Sequence, residues 1–115
     1  MPADCIFCKI VAKELPATIL YAHDDVTAFV DIHPQATTHV LVIPNRHLGS
    51  LNDATEGDTE LLGKLIQVSA RIARDQGIAA SGYRVVTNTG PNAQQSVNHL
   101  HFHVIGGNAL SPRLG

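Results

Sequence analysis

Apolar positions along the chain change period several times, and each change marks an element. Two short stretches, 18–22 and 26–31, flank Asp24-Asp25. They read as the two strands of a β-hairpin. Residues 39–43 are apolar almost throughout and predict a central strand, ended by Pro44. Further on the period becomes helical: Leu61, Leu62, Leu65, Ile66, Ser69, Ile72 and Ala73 fall on one face. Thr55 or Asp58 suits the start of this helix, and Gly77 its left-handed exit. Stretches 83–87 and 100–105 supply two more strands, separated by the turn-rich run Asn88-Thr89-Gly90-Pro91-Asn92-Ala93 and then Gln94-Gln95-Ser96. Near the beginning, Asp4 is placed to cap a short helix over 5–14 that Pro16 stops. The order of elements predicts an α+β fold with a largely antiparallel sheet, as one domain over 1–115.

The last strand carries the most chemistry. Side chains alternate along a strand, so His99, His101 and His103 are expected on one face, with Leu100, Phe102 and Val104 turned to the core. At a rise of roughly 3.3 Å per residue the outer two imidazoles stand about 13 Å apart. Zinc–nitrogen bonds are only about 2.0–2.1 Å long, so a straight strand does not fold three such rings around one ion. A neutral imidazole is a competent nucleophile at neutral pH, and attack on phosphorus gives an adduct that water can cleave. Flanking histidines can position the attacking ring or donate to phosphate oxygens. The plainer alternative is a polar strand face with three surface histidines; their position just after a Gly/Asn/Gln/Ser loop favours chemistry.

Composition narrows the partners. The 115 residues are 44% hydrophobic and 16% charged, an ordinary globular balance. A formal charge of −2 and a pI near 6.3 provide no field that favours nucleic acid or an anionic membrane, so neither is expected as a partner. A phosphate-bearing ligand must then be held by local geometry. The beginning of the chain lacks a basic patch with an apolar run, and no aliphatic stretch is long enough to span a bilayer, which points to the cytoplasm. Cys5 and Cys8 are the only cysteines. At C-x-x-C spacing without export signals they read as a metal or redox pair, or as a reduced buried pair. Structural zinc takes four ligands, so a zinc here needs two histidines besides.

The run His99-Leu100-His101-Phe102-His103-Val104-Ile105 resembles the signature of the histidine triad (HIT) superfamily, His-φ-His-φ-His-φ-φ with φ apolar. Cys5-Ile6-Phe7-Cys8-Lys9-Ile10, Ala28-Phe29-Val30-Asp31-Ile32-His33-Pro34, Thr38-His39-Val40-Leu41-Val42-Ile43-Pro44 and Gln95-Ser96-Val97 are similar to its histidine triad nucleotide-binding (Hint) branch. The resemblance implies a five-stranded antiparallel sheet with one long and one short helix, in a homodimer with a continuous sheet. It implies hydrolysis of purine nucleoside phosphoramidates through a nucleotidyl-histidine intermediate, releasing a nucleoside monophosphate, with no metal needed for the chemistry. By the same resemblance His101 is the nucleophile, His39 and His103 line the phosphate site, and Ser96 and Gln95 contact the phosphate or its leaving group. Asn88 sits beside the phosphate, Asp31 holds the ribose hydroxyls, and Ile6, Phe7, Phe29 and Ile32 surround the base. Each also has a plain structural reading: Asp31 as a turn-closer, Ser96 as a turn cap, and the four apolar residues as core. In some bacterial members the cysteine pair joins the histidines that match His47 and His99 here, which implies structural zinc.

Two departures from the family stand out. Gln94 occupies a place where the family usually has Gly, which leaves the backbone path of that loop open. The tail from Asn108 onward lacks the Trp-Pro-Pro ending that helps shape the leaving-group pocket in many Hint proteins. A dinucleoside polyphosphate hydrolase and a non-catalytic, zinc-stabilised nucleotide-binding module are the alternatives. The Gln95-Ser96 pair argues against the first, and the complete set of three histidines against the second.

Overall fold

In the computed structural model, which describes residues 4–113, five strands form one antiparallel sheet in the order β1-β2-β3-β5-β4. They are β1 (Ile19–His23), β2 (Val26–Val30), β3 (Thr38–Pro44), β4 (Tyr83–Val86) and β5 (Phe102–Gly106), with helices α1 (Ile6–Val11) and α2 (Thr59–Asp75). This is the expected α+β architecture. Residues 1–3 and 114–115, which belong to the readings of the leader and the tail, lie outside the described residues.

The β1–β2 hairpin turns on Asp24 and Asp25, both left-handed at φ 49° and 69°. That pair of positive φ values matches the twist of the strands it joins. β3 is the middle of the sheet, and it is covered on both faces as its apolar run requires. Its register sets two layers. Val40 lies opposite Val30 and Val104, and Val42 opposite Ala28 and Phe102. All but the exposed Val30 belong to the larger core, which Leu65, Val68, Ile72 and Ala73 of α2 complete. Leu41 lies opposite Phe29 and His103 and faces the other way, where Phe7, Cys8 and Ile43 form a smaller cluster under α1.

Several expectations need correction. The short helix ends at Val11, not Glu14, and Pro16 is not what stops it. Lys13 takes a left-handed φ of 63°, and Glu14 N–H returns to Lys9 O at 2.8 Å, closing the last turn. Its cap is the Cys5 sulfur, which accepts from Cys8 N–H, and not Asp4. On α2, Val68 is buried while Ile66, expected inward, is half exposed. Thr55 and Asp58 act together: the Asp58 carboxylate accepts from Thr55 N–H at 2.8 Å and from Arg46, closing the 3₁₀ turn that runs into α2. Gly77 exits α2 at φ 74°, as expected.

The largest correction concerns β5. It begins at Phe102, so only His103 of the three histidines sits in the ladder. Leu100, Phe102 and Val104 still point to the α2 core. His99 and His101 lie in an irregular lead-in and, far from being surface groups, are buried.

Gln94 adopts φ 62° and ψ 39°, the left-handed conformation that explains a glycine at this place in relatives. A non-glycine residue there costs roughly 1–2 kcal/mol, while glycine gives back about 0.5–1 kcal/mol in chain entropy. Gln94→Gly should therefore be neutral or stabilising by up to ~1 kcal/mol in urea unfolding, and Gln94→Val clearly destabilising. A loss of stability in the glycine variant would contradict this.

Candidate active site

Residue 99 organises two sites at once. Its Nε2–H donates to the carbonyl of Pro44, 2.9 Å away at the end of β3. That bond fixes the tautomer, so the Nδ1 lone pair points the other way, to Cys5 Sγ at 3.3 Å and Cys8 Sγ at 3.5 Å. His47 Nδ1 joins the group, 3.3 Å from Cys8 Sγ and 3.2 Å from His99 Nδ1. Two thiols and two imidazoles thus converge, with the four ligand atoms within 4.8 Å of one another. A tetrahedral zinc with such ligands spans edges of about 3.3–3.8 Å, so the donor set fits this ion in kind and in spacing. Without a cation, burial pushes the Cys8 thiol up to about 11. These are the four residues expected as ligands, and the lead-in to β5 is what lets His99 leave the sheet to reach them.

The carbonyl of His99 serves the second site. His101 Nδ1–H donates to it at 2.7 Å, which leaves the lone pair on Nε2. The ring is packed edge-on against Phe7, centroids 5.2 Å apart, and only 3% of the residue is exposed. Every buried side-chain nitrogen or oxygen among the described residues has a hydrogen-bond partner. Nε2 of His101 makes no such bond, so it opens into the cleft that the ring lines. Burial pulls the His101 pKa below the ordinary imidazole range, and the His99 carbonyl and Asp31 oppose this. The ring is thus held neutral, with the Nε2 lone pair unprotonated.

Beside it, His103 meets His39 across the sheet. The two are diagonal neighbours on one face, since His103 lies opposite Leu41 and His39 two residues before it. His39 Nε2 is 2.8 Å from His103 Nδ1 and 3.3 Å from Asp31 Oδ2, and its Nδ1 accepts Gln35 N–H at 2.9 Å. Both nitrogens of His39 are therefore used inside the protein, behind His103. Asp31 does close a turn, with Oδ1 accepting His33 N–H at 2.8 Å, yet it also lines the cleft.

The cleft has a volume of about 470 Å³ and a mostly apolar lining. Ile6, Phe7, Phe29, Ile32, Asp31, Ser96, His101 and His103 all border it, so eight of the expected residues share one cavity. Phe7 and Phe29 pack edge to face and are core as well as lining. Ile32, 82% exposed, forms a free lip. Gln95 behaves otherwise: its amide accepts Gly90 N–H at 2.9 Å and donates to the carbonyls of Gly49 at 2.7 Å and Val97 at 3.0 Å. It braces the loop instead of reaching into the cleft. Asn88 is half buried and follows Thr87, whose hydroxyl donates to the His101 carbonyl at 2.8 Å. The site groups that side-chain reading passed over are mainly backbone ones, Pro44 O and Gln35 N–H. The motif around Asp31 already contained His33, which also lines the cleft.

A model of the HIT domain family matches residues 12–110. A purine nucleoside phosphoramidase of Escherichia coli (strain K12) is 46% identical over 114 residues, 99% of this chain and 96% of that protein. Two solved structures superpose closely: a HIT family hydrolase from Legionella pneumophila Philadelphia 1, at TM-score 0.94 and 38% identity, covering 97% of this chain and 100% of that one, and a histidine triad protein from Clostridium difficile, at TM-score 0.95 and 38% identity, covering 99% of each.

Burial leads the shifts that hold His39 below its usual range and His103 at about 4, both nearby imidazoles adding to the latter. Unfolded, each titrates near 6.5, so the unfolded chain takes up protons first and stability falls as pH drops below about 6.5. The loss continues until His103 itself protonates at about 4. Urea midpoints should therefore decline across that window, and less steeply in His103→Gln. A flat profile would contradict the buried neutral pair.

Proposed function

Because the chain belongs to the HIT domain family, we propose that it hydrolyses purine nucleoside phosphoramidates through a nucleotidyl-His101 intermediate. The observation that carries this reading is the free Nε2 of His101, aimed into an apolar cleft by the hydrogen bond behind it. The base lies against Ile6, Phe7, Phe29 and Ile32, and the ribose hydroxyls on Asp31. Nε2 attacks the α-phosphorus, the P–N bond breaks, and its electron pair leaves with the amine, which takes a proton. Ser96, His103 and Asn88 border the phosphoryl oxygens, where hydrogen bonds gain strength as charge builds. Gln95 contributes by holding this loop in place. Water then attacks the adduct, the electron pair of the P–Nε2 bond returns to His101, and the mononucleotide departs.

Cys5, Cys8, His47 and His99 hold a structural zinc in this reading. Held by these four residues, zinc would tie α1 to the lead-in of β5 and would supply no chemistry to the reaction. The protein is a single domain working in the cytoplasm, where free thiols persist. It acts as a homodimer: β4 is an edge strand with an open side, and the exposed Tyr83 and Ile66 lie beyond the monomer's own core. No helix among the described residues is long and apolar enough to cross a membrane.

Replacing the nucleophile tests the reaction. His101→Ala should lose at least about 10³-fold in turnover of an adenosine phosphoramidate while still binding AMP, since the attacking group is gone and the cleft remains. Mass spectrometry of the quenched native enzyme should show an AMP adduct that this variant lacks. Undiminished turnover would assign the nucleophile elsewhere.

Metal analysis of freshly purified protein should find about one zinc per chain, as the four-ligand set requires. Cys8→Ser should lose the metal and lower the melting temperature. Metal-free native protein would remove the zinc assignment.

A further inference from the structure

Asp31, His39 and His103 form a second convergent group, with ligand atoms within 4.8 Å of one another. Two imidazoles and a carboxylate are a familiar set for a divalent metal. The backbone decides against it. Gln35 N–H donates to His39 Nδ1 at 2.9 Å, so that nitrogen carries the lone pair and the proton of the neutral ring sits on Nε2. A ligating histidine uses one lone pair and donates N–H from its other nitrogen. Metal on His39 Nε2 would displace the only proton of a ring whose other nitrogen is already an acceptor, leaving an anionic imidazolate.

A hydrogen-bonded chain meets no such objection. The His39 Nε2–H faces His103 Nδ1 at 2.8 Å, with Asp31 Oδ2 a second acceptor at 3.3 Å. His103 Nδ1 must then be an acceptor, and its own proton sits on Nε2, the nitrogen left for the cleft. We propose that the Gln35 backbone N–H, acting through His39, fixes His103 as an Nε2–H donor toward the cleft, which makes His39 a positioning residue. His101 and His103, ring centroids 5.0 Å apart, thereby hold opposite tautomers. One offers a lone pair to phosphorus and the other an N–H to the phosphoryl oxygen beside it. The role of that donor rests on the reaction proposed above; the tautomers do not.

Nitrogen-15-labelled histidine in the intact protein reads this directly. Long-range proton–nitrogen correlations near neutral pH should show His39 and His103 as Nε2–H and His101 as Nδ1–H. In His39→Leu, His103 should redistribute toward Nδ1–H, while His39→Gln, which keeps an N–H near the same place, should hold it. Turnover of an adenosine phosphoramidate should fall by up to about 10²-fold in His39→Leu, with most recovered in His39→Gln. KM should change by less than about threefold, as for a contact made in the transition state. An Nδ1–H tautomer at His39 in the native protein would overturn the proposal, and so would an unmoved His103 tautomer in His39→Leu or an effect confined to KM. Adduct formation on His101, followed separately, reports on the reaction and not on this chain of bonds.

Discussion

The hydrogen bond from His101 to the backbone of His99 governs the rest of the site, because it uses a main-chain group that the sheet would otherwise claim. Had β5 begun at Leu100, ladder pairing would compete for the carbonyls of its first residues. It begins at Phe102, and the irregular stretch before it releases the His99 carbonyl to the ring two residues on. Two residues on, the carbonyl of His101 is satisfied by the Thr87 hydroxyl. His99 cannot drift, since its side chain is fully buried between Pro44 and the two thiols. The cysteine cluster is therefore linked to the His101 ring through one backbone oxygen.

The two faces of the sheet divide the work. On the α2 face valines and leucines bury against a helix, and that burial supplies most of the cohesion. The opposite face carries four buried or half-buried imidazoles, which such a core would normally exclude. Hydrogen bonds offset their cost: each ring has at least one nitrogen tied to backbone or to another ring. All four are held neutral by burial. That is the protonation state the proposed nucleophile needs, so burial and the proposed chemistry pull the same way.

Much of this was legible in the chain. The period-2 and period-3.6 stretches locate every strand and the long helix, and the Asp24-Asp25 turn follows from residue type alone. The site residues were legible as a set because histidine, cysteine and aspartate carry chemistry in their side chains. Their division into roles came from the family resemblance and not from the side-chain pattern itself. A straight strand would place His99, His101 and His103 side by side, and nothing in side-chain pattern reveals that the strand starts late. Helix α1 was misread for a similar reason: its stop is a left-handed Lys13, a residue type with no preference for that conformation.

The same limit explains Gln95. A glutamine beside a phosphate loop reads naturally as a ligand contact, yet its amide joins three backbone segments, at Gly49, Gly90 and Val97. Those segments lead to His47, to the Gln94 turn and to Ser96 respectively. One side chain thus fixes the loop that carries His47, the left-handed Gln94 turn and a cleft residue relative to one another. Preorganised donors need no rearrangement as charge develops, and in the proposed reaction a brace of this kind serves without touching phosphate. The same holds for Gln35 N–H behind His39 and for Pro44 O behind His99. In each case a backbone group decides where an imidazole keeps its proton, and the side chain in the cleft expresses that decision.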